Sequence, residues 1–338
     1  MTTQGARQVS IWWWAFGYFA AYAPYSALTK ALSDGKIGNK VAGNTILPLS
    51  TFSSLLAMMV FLLLTGWWRS AGRVQIGKFA VPCPTPWTTL SGLCGATILT
   101  TTTLAYTISG VSIVFMMLLL RGGVLMIAPI VDAVSRRKVK WPSWVATGLT
   151  LSSLLVTLIG RDESFTLPLL AILDVSAYLA AYFVRLRFMS KLAKSESLEV
   201  TRRYFVEEQL VSTPAALLGL GLLALIGGGG EFAHVRAGFL DFPFTAQAPW
   251  AIAIGVLSQG TGIFGALVLL DKRENTFSVP VNRASSMLAG VVATLGLWAL
   301  GVGKMLDWRE AVGAGLVISA IGVRSLPTLL QKKVPAVI

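Results

Sequence analysis

The sequence predicts an all-α membrane protein with ten transmembrane helices, arranged as two inverted five-helix repeats. Three observations predict this fold class. The chain of 338 residues is 54% hydrophobic and 13% charged, with a mean hydropathy of +0.70, which is too apolar for a soluble globular domain. It contains ten apolar stretches close to the length of about 20 residues that a helix needs to span a bilayer. Short motifs of the first five stretches recur in the last five.

The ten apolar stretches follow one another with mostly short connections. Tryptophans stand near several of their ends, at Trp67, Trp141, Trp250 and Trp308, where indole rings favour the headgroup region of a bilayer. The stretches cover residues 11 to 29, 46 to 65, 87 to 107, 111 to 134, 142 to 160, 166 to 186, 205 to 226, 249 to 270, 276 to 300 and 309 to 326.

The two halves of the chain share motifs in the same order. The pattern Tyr-x-Ala-Ala-Tyr occupies residues 18–22 and again residues 178–182, a spacing of 160 residues. Arg121 recurs as Arg283, 162 residues later. These matches predict a first repeat over residues 1–160 and a second over residues 161–338. Three weaker matches pair Ser50-Thr51 with Ser212-Thr213, Gly95 with Gly260, and Trp141 with Trp308.

The connections carry an unequal share of the positive charge. Nineteen Lys and Arg residues fall on the side of the N-terminus and seven on the opposite side. By the positive-inside rule, both termini are expected to be cytoplasmic, in the plasma (inner) membrane. Because each repeat has an odd number of spans, the second repeat enters the membrane from the opposite face, and the two halves are inverted.

Several classes of function are excluded by what the chain lacks. Two cysteines and one histidine offer neither a disulfide framework nor a Cys/His metal site, and no cofactor is expected. The sequence contains no HExxH, GxSxG or ATP-binding motif, so the protein is not expected to be an enzyme or a primary pump. The net charge of +13 belongs mainly to the connections and does not indicate a nucleic-acid partner.

Two aromatic stripes are the first candidate binding residues. Tyr18 and Tyr22 are four residues apart and share one helical face, which Trp14 and Tyr25 extend. In the sixth stretch the corresponding face carries Asp174, Tyr178, Tyr182 and Arg185. The stripes are expected to face each other across a central cavity, where a tyrosine offers both an apolar ring and a hydroxyl. The alternative is ordinary helix packing through the neighbouring alanines.

Charged residues inside the stretches are the second set of candidates. Arg121 and Arg283 each lie in apolar sequence, where an arginine costs about 2.5 to 3.5 kcal/mol on insertion scales, so both should face protein or water. Asp174 is the single carboxylate near the middle of a stretch, and one positive charge is left unmatched. An anionic substrate would resolve that imbalance. Alternatively, Asp174 pairs with one arginine and backbone carbonyls solvate the other. Asp174 is also a candidate proton-coupling residue, with Glu207 and Glu208 as alternatives.

Taken together, these features resemble the drug/metabolite transporter superfamily in its ten-helix, EamA-like form. The resemblance covers nearly the whole chain and includes a basic turn, Ser135-Arg136-Arg137-Lys138, between the fourth and fifth helices. Many members of that superfamily have an acidic residue before the basic one in this turn, which is absent here. The resemblance implies transport and does not name the substrate.

The expected function is secondary transport of a small organic metabolite, anionic or of mixed polar and aromatic character, by alternating access. Two alternatives stay open: a flippase for a lipid or polyprenyl-linked phosphate, and a non-transporting membrane receptor or scaffold. The expected partners are the lipid bilayer and a small-molecule or lipid-linked substrate.

Overall fold

The computed structural model describes residues 11–76, 79–108, 111, 113–134, 141–158, 168–193, 197–226, 231–270 and 275–331. Most of these residues are helical, which confirms the all-α class. The basic turn at residues 135–138 lies outside the described residues. Twelve α-helices are present in the described ranges: α1 Ile11–Ser33, α2 Gly43–Thr65, α3 Pro86–Thr107, α4 Ile113–Met117, α5 Gly123–Val134, α6 Trp141–Leu158, α7 Leu169–Leu192, α8 Leu198–Ile226, α9 Glu231–Leu240, α10 Ala248–Leu269, α11 Asn275–Ala299 and α12 Trp308–Gln331.

Each of the ten predicted stretches contains helix, and four helical segments of the described chain are long and apolar enough to cross a membrane by length and composition. They are Gly43–Thr65, Leu169–Met189, Glu199–Ile226 and Ala248–Leu269. This indicates an integral membrane protein. Helices α1 and α3 have the length, with 23 and 22 residues, but tryptophan, tyrosine and threonine lower their hydropathy.

The outer surface and the interior have the polarity that a bilayer requires. Large apolar side chains face outward, as at Leu64 and Leu225, which are 83% and 82% exposed. The interior instead contains tyrosines, serines, threonines and two arginines. A soluble protein would expose these polar groups and bury the leucines.

The connection between α2 and α3 contains secondary structure that the sequence did not predict. Strands β1 (Arg73–Ile76) and β2 (Phe79–Pro82) form an antiparallel hairpin in which Val74 pairs with Val81. Helix α2 ends before Gly66, whose φ of 69° is left-handed and suits glycine. Helix α3 begins after Thr85, whose side chain accepts a hydrogen bond from the Thr88 N–H.

The fourth predicted stretch is not one continuous α-helix. Helices α4 and α5 are joined by a π-helical turn, Leu118–Gly122, which contains Arg121. Gly123 follows this turn, and a side chain added there would overlap that of Leu179 on α7. The turn and the glycine together bring Arg121 close to α7. Such π-turns occur frequently at functional sites.

Helices α1 and α7 each pack against the other half of the chain. Helix α1 lies against α10 and α11, and α7 lies against α3 and α5. Outside this centre, α2 packs on α10, α8 packs on α3, and α6 packs on α12. The aromatic stripes of α1 and α7 therefore lie between the two halves.

Small residues permit the closest of these helix crossings. A side chain at Gly255 of α10 would overlap the Ser50 carbonyl of α2, and one at Gly95 of α3 would meet the Ser212 side chain of α8. Ser54 also donates a hydrogen bond of 2.7 Å to the Gly255 carbonyl. Close approach at glycine with serine hydrogen bonds is typical of helix pairs in membranes.

Candidate functional site

The tyrosines of α1 form one continuous buried stripe. The Tyr18 and Tyr22 rings meet edge to face at a centroid distance of 5.3 Å, and Tyr22 and Tyr25 do so at 5.6 Å. Two hydrogen bonds attach this stripe to α3: the Tyr22 and Tyr106 hydroxyls are 2.6 Å apart, and the Tyr25 hydroxyl lies 2.8 Å from Thr103 Oγ1. The predicted common face of α1 is confirmed.

The second stripe lies on α7. The rings of Tyr178 and Tyr182 are buried, with centroids 4.7 Å apart and planes inclined at 52°. Tyr182 lines a central cavity, whereas Tyr178 lies at its edge and contacts Arg121. The two stripes thus meet through an arginine rather than directly across open space.

Arg121 connects the two stripes. Its guanidinium is 3% exposed and donates hydrogen bonds to the hydroxyls of Tyr22 and Tyr178. The guanidinium carbon also lies 5.1 Å from the Tyr22 ring centroid and 5.7 Å from that of Tyr178, within the range of cation–π attraction. Among the described residues no carboxylate pairs with it, so its positive charge is solvated but not neutralised.

Arg283 occupies a different environment. Its residue is 0% exposed, and its guanidinium carbon lies 4.8 Å from the Tyr182 ring centroid. Although the Tyr182 hydroxyl is near, none of the three guanidinium nitrogens makes a hydrogen bond of acceptable geometry within the described residues. The Tyr182 ring separates Arg283 from the cavity that it lines.

The central cavity has a volume of about 90 Å³ and is lined by residues of α1, α3, α7, α8, α10, α11 and the π-turn. At about 10 to 15 Å³ per water, this is room for several waters or a small polar group. Arg121 and the tyrosines form one wall, and Gln259 and Asn282 contribute amides. The Gln259 Oε1 has no hydrogen-bond partner in the described part of the chain. The cavity therefore offers a cation, hydroxyls and a free amide acceptor.

Two of the predicted site residues lie elsewhere. Trp14 packs against Phe264, with ring centroids 6.1 Å apart, and does not line the cavity. Asp174 is 5% exposed and is also absent from the cavity lining. Neither of its carboxylate oxygens has a hydrogen-bond partner among the described residues, so the alternative pairing of Asp174 with an arginine is not present in this conformation.

A charged cluster at one end of the cavity was not predicted as part of the site. Arg185 forms a two-pronged ion pair with Glu208, with both N···O distances at 2.8 Å. Ser91 on α3 donates a 2.5 Å hydrogen bond to Glu208 and lies 2.7 Å from the Tyr204 hydroxyl. This cluster fastens α7 and α8 to α3. The face that carries Tyr182 and Arg185 was visible in the sequence, but the partner on α8 was not.

The neighbouring carboxylate has a structural role. Glu207 accepts hydrogen bonds from Arg203 at 2.7 Å, from Thr88 at 2.9 Å and from the Gly72 N–H at 3.0 Å. These contacts hold the base of the β-hairpin against α8. The expectation that entrance carboxylates pair with Arg202 or Arg203 holds for Glu207, while Arg202 lies over the Trp67 ring at 5.1 Å.

Comparison with known proteins identifies the fold but no family. No family model matches the chain, and no curated protein matches it. Among solved structures, 21 chains match. One of them, described as "Crystal structure of protein", is 15% identical with a TM-score of 0.53, and the alignment covers 96% of this chain and 100% of that chain. At this identity the likeness concerns the fold alone.

Proposed function

We propose that the protein is a secondary transporter that moves a small organic metabolite, anionic or of mixed polar and aromatic character, through the central cavity by alternating access. The observation that carries this proposal is the un-neutralised guanidinium of Arg121 in the wall of a cavity between the two halves. An anionic substrate would neutralise this charge, and the tyrosine rings would contact its apolar part.

The packing of the helices supports two structurally related halves. Pairing the first to fifth predicted helices with the sixth to tenth converts the contact of α1 with α10 into that of α7 with α3. It converts the contact of α2 with α10 into that of α8 with α3, and it leaves the contact of α6 with α12 unchanged. This exchange is what a two-fold axis between the repeats would produce. We propose that the axis lies in the membrane plane, which makes the repeats inverted.

The cavity favours a small solute over the two alternative functions. At about 90 Å³ it is too small for a lipid-linked headgroup in this conformation. A receptor or scaffold would bind a ligand without moving it, and only flux separates that alternative from transport. We also propose membership of the drug/metabolite transporter superfamily, on the strength of the ten helical stretches and the duplicated motifs.

The test begins with ligand identification and continues with flux. Purified protein would be screened by thermal shift against amino acids, nucleotides, organic phosphates and lipids, because a ligand that binds the folded state raises the unfolding temperature. Uptake of each stabilising compound would then be measured in proteoliposomes. Saturable uptake is expected for at least one of them. Stabilisation without uptake would instead identify a receptor.

Arg121→Ala and Arg283→Ala are expected to lower the initial rate of uptake at least about tenfold, because a charge-assisted contact to an anion contributes about 1.5 to 3 kcal/mol. Arg236→Ala is the matched control, since Arg236 is exposed on α9. Size-exclusion chromatography would establish that each variant is folded. Wild-type uptake in both buried-site variants would contradict their role in binding.

A further inference from the structure

The two buried arginines have unequal surroundings although the repeat places them in equivalent positions. Arg121 donates to two tyrosine hydroxyls, one from each half of the chain. Arg283 has no hydrogen bond within the described residues and is still 0% exposed. A buried guanidinium without acceptors is unfavourable, so this arrangement requires a compensating state in which Arg283 finds them.

The spacing of the repeat identifies those acceptors. The offset of 160 residues converts Tyr22 into Tyr182 and Tyr178 into Tyr18, and the offset of 162 converts Arg121 into Arg283. The cluster of Arg121, Tyr22 and Tyr178 therefore corresponds to Arg283, Tyr182 and Tyr18.

Half of this second cluster is already in place. The Arg283 guanidinium lies 4.8 Å from the Tyr182 ring, and its counterpart Arg121 lies 5.1 Å from the Tyr22 ring. Tyr18 is held near the same region, because its ring packs against Gly265, whose carbonyl accepts a 3.1 Å hydrogen bond from Asn282. Asn282 directly precedes Arg283. A small relative movement of α1 and α11 would bring the second cluster together.

We propose that Arg283 takes the tyrosine hydroxyls of Tyr18 and Tyr182 in the oppositely facing conformation, while Arg121 releases those of Tyr22 and Tyr178. This inference rests on the proposed function, since it assumes two conformations related by exchange of the halves. In each conformation one arginine is locked by tyrosines. The other is free to receive the anionic group of the substrate.

The exchange predicts opposite effects for the two pairs of tyrosines. Tyr22→Phe and Tyr178→Phe remove acceptors used in the conformation described here, and should shift the protein toward the other conformation. Tyr18→Phe and Tyr182→Phe should shift it the other way. Each loss of a hydrogen bond to a charged group is expected to change the conformational ratio by about tenfold.

A single cysteine in the cavity wall can report the ratio without any substrate. Ser212 lines the cavity from α8, so Ser212→Cys in a background of Cys83→Ser and Cys94→Ser places one thiol there. A membrane-impermeant maleimide added to right-side-out or to inside-out vesicles labels this thiol from whichever face is open. The ratio of the two labelling rates is the measured quantity, and size-exclusion profiles establish that the variants are folded.

Opposite shifts in the two pairs of variants would support the exchange of roles. If labelling of the parent occurs from both faces but all four variants leave the ratio unchanged or move it in one direction, the exchange is wrong while alternating access stands. If no variant and no condition permits labelling from a second face, both the exchange and the transport proposal are overturned.

Discussion

At the level of single residues, the tyrosines of α1 and α7 solvate a charge without removing it. A carboxylate beside Arg121 would form a neutral pair, whereas the hydroxyls of Tyr22 and Tyr178 accept its hydrogen bonds and leave the net charge in place. Retaining that charge at membrane depth is unfavourable unless it has a use. Arg185 provides the contrast, because Glu208 neutralises it at 2.8 Å and it serves to fasten helices.

The isolated carboxylate of Asp174 leads to a prediction about coupling. Because neither oxygen has a partner in the described residues, Asp174→Asn should leave the unfolding temperature unchanged or raise it. If Asp174 carries the coupling proton, uptake by this variant should no longer respond to an imposed pH gradient. Thermal unfolding and uptake with and without the gradient test the two parts, with the exposed Asp241→Asn as control. A loss of stability above about 1 kcal/mol would mean that Asp174 has a native partner.

Residues within one helix were predictable, and residues that depend on a second helix were not. The common face of Tyr18, Tyr22 and Tyr25 follows from helical spacing alone, and the structure has it. The burial of Arg121 followed equally from its apolar surroundings. Its tyrosine partners, and the pairing of Arg185 with Glu208, depend on the approach of separate helices, which no local pattern encodes. For the same reason Trp14 was assigned to the cavity although it packs against Phe264.

At the level of elements, the π-turn at Leu118–Gly122 departs from the straight helix that the apolar stretch predicted. The stretch contains no proline at this point, so composition gave no reason for an interruption. The turn adds a residue to the helical circuit and redirects Arg121 toward both stripes. The β-hairpin was unexpected because each strand has only four residues, too few for a pattern to stand out.

The crossing of α2 and α10 gives a prediction about helix packing. Gly255→Val would place side-chain atoms where the Ser50 carbonyl lies and would separate the two helices. We expect a loss of about 1 to 3 kcal/mol in stability, together with the hydrogen bond from Ser54. Gly219→Val is the matched control, because a side chain at Gly219 would meet open space. Equal unfolding temperatures for the two variants would contradict the close crossing.

At the level of the whole molecule, the two halves contribute unequally similar parts to one cavity. Helices α1 and α7 each lie against the other half, so a relative rotation of the halves would alter the contacts of both tyrosine stripes at once. The ion pair of Arg185 with Glu208 lies at one end of the cavity, and the hydrogen bond of Tyr25 with Thr103 involves the opposite end of the α1 stripe. These two contacts are natural candidates for the closures that open in turn.

The inverted arrangement makes a prediction about membrane sidedness. Asn39 follows α1 and Lys191 lies in the last turn of α7, and these positions correspond in the two repeats. If the halves are inverted, α1 and α7 run in opposite directions and these positions lie on opposite faces. In a cysteine-free background, Asn39→Cys should react with an impermeant maleimide from outside the cell, and Lys191→Cys should react only after the membrane is permeabilised. Both residues are exposed, so poor access would not account for a failure to label. Reaction of both from the same face would show that the halves are parallel, and a two-fold axis in the membrane plane would then be impossible.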